Sequence, residues 1–154
     1  MNTQHDQLDE ISLPALLRHA RETYGAAMRR ALDEAGYDDI PANGLYVIGA
    51  LATTETPLAG IIRALGVSKQ AAGQLVDALV LRGYLTREVD AADRRRLTVT
   101  LTERGNAAAA VQAAARDAID AQLLARLGLD KVRHCREALQ ALIDIGFPPA
   151  GGSD

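Results

Sequence analysis

Two short runs, Leu85-Thr86-Arg87-Glu88-Val89 and Leu97-Thr98-Val99-Thr100-Leu101, alternate apolar and polar residues. A strict period of two is typical of half-buried strands, in which successive side chains point to opposite faces. Between the runs lies Asp93-Arg94-Arg95-Arg96, which would put three cationic side chains at the turn. Residues 85–101 therefore predict a β-hairpin with a cationic tip.

Two short helical patterns precede this hairpin. The first covers 58–65 and follows Thr56-Pro57, which predicts a threonine cap and a proline at the first helical position. It ends at Gly66, and Ser68 is predicted to cap the next helix, which runs to about Arg82. A turn of about three or four residues that contains glycine is typical of a helix-turn-helix. Together with the hairpin, this pattern predicts a winged helix-turn-helix, a layout whose common use is to grip duplex DNA.

Longer helical patterns flank this central region. Apolar residues at steps of three and four predict a long helix that Ser12 caps and Gly36 ends. After the hairpin, Thr102-Glu103 is predicted to begin an Ala-rich helix that Gly128 ends. Two further helices are predicted over 42–52 and from about Asp130 up to Phe147-Pro148-Pro149.

The composition is that of a globular protein, since 48% of the 154 residues are hydrophobic and 24% are charged. This length favours one domain, or two small lobes that share a core. Aromatic residues make up only 3%, so a core must be built mainly from Leu, Val, Ile and Ala. Because Ala-rich helices each bury little area, this composition favours a core shared with a second subunit.

The net charge of −3 does not by itself indicate a nucleic-acid partner, but its distribution is uneven. Residues 52–105 carry eight basic and six acidic groups, whereas the segments on either side carry more acidic than basic groups. The only positive third of the chain is therefore the one with the helix-turn-helix and the hairpin. Such an asymmetry is the electrostatic pattern expected of a DNA-binding region, although +2 is modest.

Several classes of protein are disfavoured by simple counts. The single cysteine, Cys135, rules out a disulfide within the chain. No hydrophobic run reaches the roughly 18 residues that span a bilayer, and the acidic start of the chain has no signal-peptide pattern. We therefore expect a cytoplasmic protein that does not use a membrane as its partner.

Four motifs, in this order and at these approximate spacings, resemble those of the MarR family of bacterial transcriptional regulators. The resemblance covers roughly residues 12–146, and the combination is more specific than any one part, since Val67-Ser68-Lys69-Gln70 alone is a generic helix start. The motifs are Gly66-Val67-Ser68-Lys69-Gln70-Ala71, Leu79-Val80-Leu81-Arg82-Gly83-Tyr84-Leu85, Asp93-Arg94-Arg95 and Leu101-Thr102-Glu103-Arg104-Gly105.

The resemblance implies a mainly α fold with a small β-hairpin wing, in which a winged helix-turn-helix is joined to a helical dimerisation lobe. Residues 53–102 would form the DNA-binding lobe. Residues 12–52 and 103–147 would form the dimerisation lobe of an obligate homodimer, in which the terminal helices of two subunits interleave. The ends of the chain, 1–11 and 148–154, are expected to be flexible.

The first turn of the recognition helix carries the candidate base contacts. Ser68, Lys69 and Gln70 would point into the major groove, where Gln can pair with adenine and Lys with guanine or phosphate. The simpler interpretation of Ser68 is a helix cap, and of the other two a solvated surface. Gly73 and Gln74 depart from the family pattern of a hydroxyl and a basic residue, so one phosphate contact is expected to be missing, while Gln74 could still reach a base.

The cationic tip of the hairpin carries the second set of candidates. Arg95 aligns with the arginine that family members insert into the minor groove, and Asp93 with the acid that holds it. Arg94 and Arg96 are expected on phosphates or in solvent. Weaker phosphate candidates are Arg63 and Arg87.

Family members commonly repress, and many release DNA when a small aromatic or phenolic molecule binds between their lobes. His19, Tyr24 and Tyr46 could line such a crevice, although partly buried core or interface positions are the favoured interpretation. Cys135 lies on the apolar stripe of the last helix, where a free cysteine acts as a small hydrophobe, so redox sensing is the less favoured role. The histidines lack metal-ligand spacing, and no cofactor or metal is expected.

Two rival interpretations remain. An enzyme is disfavoured because the sequence has no nucleophile motif, phosphate-binding glycine loop, metal cluster or converging carboxylate pair. A winged helix used for protein contact, or a regulator that has lost DNA binding, fits the modest charge and Gly73. The sequence does not decide between repressor and activator.

Overall fold

A computed structural model describes residues 11–54, 57–89 and 97–146 of the chain. The described residues fall into two compact units, one up to residue 116 and one from residue 117 onward, and the helix α5 contributes residues to both. The fold is mainly helical with one two-stranded sheet, as the sequence predicted. The elements are α1 (Leu13–Glu34), α2 (Gly44–Thr53), α3 (Leu58–Leu65), α4 (Lys69–Leu81), β1 (Leu85–Val89), β2 (Leu97–Leu101), α5 (Glu103–Leu127) and α6 (Leu129–Gly146).

Most helix ends lie where the sequence placed them. Gly66 and Gly128 adopt the left-handed conformation, with φ of 65° and 79°, directly after α3 and α5. Glycine reaches this region without the steric cost that a Cβ atom brings, which is why it ends both helices. Gly36 likewise follows α1 after one intervening residue.

One predicted helix start and one predicted helix cap need correction. The helix α2 begins at Gly44 rather than at Ala42, because Pro41 to Asn43 form a turn in which Gly44 N–H donates to the Pro41 carbonyl at 2.7 Å. Pro57 caps α3 from outside the helix and does not occupy the first helical position, since its ψ of 146° is extended. Thr56, the predicted cap, lies outside the described residues.

The hairpin is antiparallel and has the predicted strand limits. Leu85 pairs with Leu101 at its base, and Val89 pairs with Leu97 at the end nearer the turn. Leu85 is buried in the core, whereas Arg87 and Val89 are exposed. The sheet therefore attaches to the rest of its unit through its base.

The first unit encloses the hydrophobic core. Beside this core, the backbone of Gly105 packs closely against that of Tyr84. A Cβ atom on Gly105 would come within 2.1 Å of the Tyr84 carbonyl oxygen. This contact explains the glycine in the motif that starts α5, because no side chain fits there. The largest fully buried side chains of the core are Leu32, Leu45, Val47, Ile48, Leu79, Tyr84 and Leu85.

The second unit contains the end of α5 and all of α6, and it has a different character. None of the residues of α6 is buried. Its apolar side chains recur at steps of three and four, as a single helix face requires, yet Leu139, Leu142 and Ile143 are 38%, 41% and 52% exposed. Cys135 lies on the same face and is exposed. Among the described helices, none is long and apolar enough to cross a membrane.

Candidate nucleic-acid interface

The helix α4 begins with a capped first turn. Ser68 precedes the helix in an extended conformation, and its Oγ accepts a hydrogen bond from Ala71 N–H at 3.2 Å. This bond satisfies one of the N–H groups that a helix start leaves without an intrahelical partner. The cap confirms the simpler of the two predicted roles of Ser68.

The residues of α4 separate into two faces. Ala72, Val76 and Leu79 are buried against the core. The opposite face is exposed, and the predicted base contacts Lys69, Gln70 and Gln74 all belong to it. The other exposed residues of this helix are Ala71, Gly73, Asp77 and Leu81.

Gly73 and Gln74 of this face have open space beside them. No atom lies within 4 Å of the position that a Cβ atom on Gly73 would take, so packing does not require glycine there. Gln74 lies at the edge of an open groove of about 430 Å³, which α4 forms with the turn Pro41 to Asn43. Gln74 therefore borders this groove and is also part of the exposed face of α4.

The predicted wing contacts Asp93, Arg94, Arg95 and Arg96 lie outside the described residues. The two strands that carry them are described, and residues 90–96 join the last strand pair, Val89 and Leu97. The structure therefore gives the position where this cationic segment begins and ends.

Arg87 has a partner that the sequence did not suggest. Its guanidinium forms a short ion pair with the carboxylate of Asp77 on α4, and the two side chains are 41% and 66% exposed. The pair joins the wing strand β1 to the recognition helix. It also neutralises a carboxylate that would otherwise repel a phosphate beside α4. Arg87 was predicted as a weak phosphate contact, and this ion pair is a competing role.

A polar cluster that the sequence reasoning missed joins three segments at the base of the wing. The Tyr84 hydroxyl donates a short hydrogen bond to the carboxylate of Asp39. The Arg104 guanidinium donates to Asp39 at 3.1 Å and to the Tyr84 hydroxyl oxygen at 2.9 Å, and it stacks 4.5 Å from the centre of the Tyr84 ring. Arg82 donates to the Asp39 backbone carbonyl at 2.6 Å. The loop before α2, the start of β1 and the start of α5 are thereby held together.

The ionisation of this cluster follows from its contacts. The hydrogen bond from Tyr84, assisted by the charge of Arg104, lowers the pKa of Asp39 below its ordinary 3.8 despite partial desolvation. Burial, followed by the bond to Asp39, raises the pKa of Tyr84 above its ordinary 10.0. Asp39 therefore carries its charge and Tyr84 keeps its proton throughout the neutral range.

A second polar anchor fastens the hairpin to α5. The Thr102 hydroxyl donates to the Gly83 carbonyl and accepts from Gly105 N–H at 3.0 Å, and Thr102 N–H donates to the Tyr84 carbonyl at 3.0 Å. The predicted cap before α5 is confirmed by the bond from Gly105. The base of the wing thus has a defined position relative to α4.

A cavity of about 390 Å³ lies between α1, α2 and α5 within the first unit. Tyr46 is one of its lining residues, and the guanidinium of Arg21 lies 4.5 Å from the centre of its ring. His19 is exposed, pairs with Glu22 at 3.1 Å and does not line this cavity; Tyr24 does not line it either. Only one of the three predicted crevice residues is therefore part of it.

A buried amide forms part of the cavity wall. Gln112 is 4% exposed, and its Nε2 donates to the backbone carbonyl of Leu45 at 3.0 Å. Among the described residues no donor reaches its Oε1. The amide can lie against α2 only because residue 49 is glycine, since a Cβ atom there would be 2.6 Å from Nε2.

The arrangement of α3, α4 and the hairpin defines a winged helix-turn-helix protein. Residues 38–96 match the model of the MarR family. The match covers a little over a third of the chain, so residues 38–96 are similar to the winged helix-turn-helix region of MarR-family transcriptional regulators. Members of this family are DNA-binding proteins rather than enzymes.

Three solved structures have a similar fold. A DNA complex of MepR from S. aureus has a TM-score of 0.68 at 19% identity, covering 87% of this chain and 98% of that one. CouR from Rhodococcus jostii RHA1, bound to p-coumaroyl-CoA, has a TM-score of 0.68 at 24% identity, with coverage of 93% and 97%. A MarR family transcriptional regulator from Silicibacter pomeroyi DSS has a TM-score of 0.71 at 23% identity, with coverage of 88% and 89%. No curated protein sequence matches the chain.

Proposed function

We propose that the protein is a cytoplasmic repressor that binds double-stranded DNA as a homodimer at a pseudo-palindromic operator and releases it when a small molecule binds. The observation that carries this proposal is the exposed polar face of α4, which lies next to a hairpin whose connecting segment holds three consecutive arginines. A recognition helix and a cationic wing on one unit are the parts that such proteins use to read two neighbouring grooves.

In this proposal the first turn of α4 enters the major groove. Gln70 and Gln74 read base edges, Lys69 reaches a guanine or a phosphate, and the capped Ser68 contacts the backbone. The wing residue Arg95 enters the adjacent minor groove, where Asp93 orients it and the two flanking arginines contact phosphates. The Asp39–Tyr84–Arg104 cluster supports this arrangement because it fixes the base of the wing beside α4.

The homodimer is supported by the exposed apolar face of the second unit. Monomeric soluble proteins rarely leave a continuous apolar surface of this kind in water, and α6 presents Leu139, Leu142 and Ile143 along one side. A two-fold dimer would place two copies of α4 in successive major grooves, about one helical turn of DNA apart.

Release by a small molecule is supported by the cavity between α1, α2 and α5. Its volume of about 390 Å³ lies at the lower end of the range for small-molecule sites, about 300–1,000 Å³. CouR, of similar fold, was solved with p-coumaroyl-CoA bound. A molecule that binds this cavity only in a conformation unsuited to DNA would shift the protein away from its operator.

The proposal is tested by fluorescence anisotropy with duplex DNA from upstream of the protein's own gene, over a series of salt concentrations. Wild-type protein should bind with a steep salt dependence, because binding displaces counterions from phosphates. Arg95→Ala should weaken binding at least tenfold and leave the fold intact, while Gln70→Ala should reduce the preference for operator over unrelated DNA. Arg30→Ala, which removes an exposed arginine of α1, is the matched control and should bind like wild type.

If wild type and Arg95→Ala bound DNA equally well, the wing would not be part of the DNA interface. If wild type bound neither upstream DNA nor unrelated duplex at low salt, the proposed function would be wrong. A winged helix that serves protein contact would then be the better description.

A further inference from the structure

The ion pair between Asp77 and Arg87 leaves the arginine able to bind a second partner. A guanidinium carries five N–H donors on a planar fork, and Arg87 donates to the Asp77 carboxylate through Nη2. Among the described residues, no other hydrogen bond or ion pair involves this side chain, which is 41% exposed. The remaining donors of Arg87 are therefore available to an anion from solution.

Folding stability does not account for the pair. An exposed ion pair contributes little to the stability of a fold, because water and salt screen both charges. The base of the hairpin is also attached by other bonds. Tyr84 N–H donates to the Leu79 carbonyl of α4 at 2.9 Å, and the Thr102 hydroxyl donates to the Gly83 carbonyl. The hairpin is therefore held beside α4 without the help of Asp77 and Arg87.

The position of the pair relates it to the proposed DNA contacts. Asp77 follows Gln70 by seven residues and Gln74 by three, so these exposed side chains share one face of α4. Arg87 lies on β1, the strand that leads to the wing. In the proposed complex α4 lies in the major groove and the wing tip in the adjacent minor groove, and one sugar–phosphate strand separates these grooves. The pair connects α4 to β1 and therefore faces that strand.

A carboxylate at this place needs an explanation, because it would repel the phosphates of a bound duplex. The repulsion is offset if the carboxylate has a use that favours binding. An arginine on an exposed strand has many rotamers, and a carboxylate that accepts from one edge of its guanidinium restricts them. The opposite edge of the planar fork then has a defined direction in which it can meet a phosphate.

We propose that Arg87 binds a phosphate of the strand between the two grooves, and that Asp77 is the positioning residue that holds the guanidinium for this contact. This inference rests on the proposed DNA binding and adds a contact between its two reading elements. It also reverses the sign of a simple electrostatic expectation. Removing a carboxylate that only repels DNA strengthens binding, whereas removing one that positions Arg87 weakens it.

The inference is tested with full-length protein by fluorescence anisotropy on the upstream duplex and on an unrelated duplex, over a series of salt concentrations. Asp77→Asn should weaken binding about threefold or more, although it removes a negative charge. Arg87→Met should weaken binding to both duplexes about tenfold and lower the slope of log K against log salt by about one per bound subunit. Arg87→Lys keeps the charge but lacks the planar fork, so it should also bind more weakly than wild type.

A double variant and two controls make the test specific. Asp77→Asn/Arg87→Met should bind no more weakly than Arg87→Met alone, because Asp77 acts through Arg87. Glu88→Gln removes the neighbouring exposed acid of β1 and should bind at least as tightly as wild type, and Arg30→Met in α1 should bind like wild type. All variants should melt close to wild type, since the pair is exposed. Arg87→Lys carries the test should Arg87→Met fail to fold.

Three results would contradict the inference while wild type still binds DNA. Unchanged or tighter binding by Asp77→Asn would mean that this carboxylate does not position Arg87. Wild-type affinity in Arg87→Lys would mean that charge alone matters, and an unchanged salt slope in Arg87→Met would mean that Arg87 binds no phosphate. Failure of the wild type to bind either duplex would instead contradict the proposed function, and this inference with it.

Discussion

The two units of this protein use similar amphipathic helices but complete their cores differently. In residues 11–116, side chains such as Leu32, Ile48 and Tyr84 are fully buried by other parts of the same unit. Among the described residues from 117 onward none is buried, although α6 has a regular apolar face. Apolar periodicity therefore predicts which face of a helix will be buried, but not whether the surface that buries it belongs to the same chain. The first unit contains its own hydrophobic core, and we infer that the second unit requires another surface.

The largest effect is expected from charging the apolar face of α6. The double variant Leu139→Glu/Leu142→Glu should be a monomer at concentrations where the dimer that we propose for the wild type forms. Full burial of an exposed leucine contributes about 1.5–3 kcal/mol. Leu139 and Leu142 are 38% and 41% exposed, so an interface would add part of that value for each, and two-fold symmetry counts each change twice. Sedimentation velocity measures the association. All four tyrosines lie in residues 24–84, so near-ultraviolet circular dichroism reports separately on the fold of the first unit and should change little.

The matched control introduces the same charge on the other side of the helix. Ala141→Glu is exposed and lies opposite the apolar face, so it should leave the dimer intact. A double variant that remained dimeric would show that this face is not the contact. Loss of the tyrosine signal would contradict the view that the first unit folds from its own contacts.

The second prediction concerns the tightest backbone approach in the first unit. Gly105→Ala should lower the free energy of unfolding by about 3 kcal/mol, because its Cβ would overlap the Tyr84 carbonyl oxygen and separate the hairpin from α5. Urea denaturation measures this loss. The control is Gly146→Ala at the end of α6, where nothing lies within 4 Å of a new Cβ atom. If the two variants were equally stable, tight packing would not distinguish the first unit from the second, and the proposed contrast between the units would be wrong.

Much of the fold could be predicted from the sequence because it is encoded locally. Alternating residues gave both strands with their observed limits, and glycines such as Gly66 gave the helix ends. The first turn of α4 was also predicted, since a serine cap depends on residues only three apart. The limits of α3 were predicted correctly, but the position of Pro57 was not, because a proline fits both the cap and the first helical position and the sequence alone does not distinguish them.

The parts of the site that could not be predicted depend on long-range contacts. Asp39 is separated by 45 residues from Tyr84 and by 65 from Arg104, so no spacing rule connects them. Gln112 is likewise 67 residues from Leu45, and Gly49 resembles any other small helix residue until the amide above it is seen. The ion pair of Arg87 was missed for a similar reason, because its partner Asp77 lies on another element.

The third prediction tests the polar cluster of the first unit. The pKa of Asp39 is lowered in the folded state, so its charge stabilises the fold above pH 3.8 and this contribution is lost as the pH falls through the folded-state value. Asp39→Asn should therefore be less stable than wild type by about 1 kcal/mol at pH 7, since the pair with Arg104 is partly exposed.

Urea denaturation at pH 7 and at about pH 3 measures this difference, which should shrink at the lower pH because below 3.8 the carboxyl of the unfolded chain is protonated before that of the folded protein. Asp38→Asn changes the neighbouring exposed acid and is the control. A difference that stayed constant with pH would mean that the charge of Asp39 does not stabilise the fold.

The smallest effect is expected at Gly73, and there stability and binding should move in opposite directions. The position is open, so Gly73→Ala should stabilise α4 by about 0.5–1 kcal/mol because alanine restricts the unfolded chain more than glycine does. The same methyl group projects from the exposed face between Lys69, Gln70 and Gln74, where the proposed DNA contact leaves little room. Thermal denaturation and anisotropy on one preparation measure both quantities. A higher melting temperature with weaker DNA binding would mean that the glycine serves the interface at the expense of the helix, whereas a higher melting temperature with unchanged binding would mean that the groove does not approach α4 at this point.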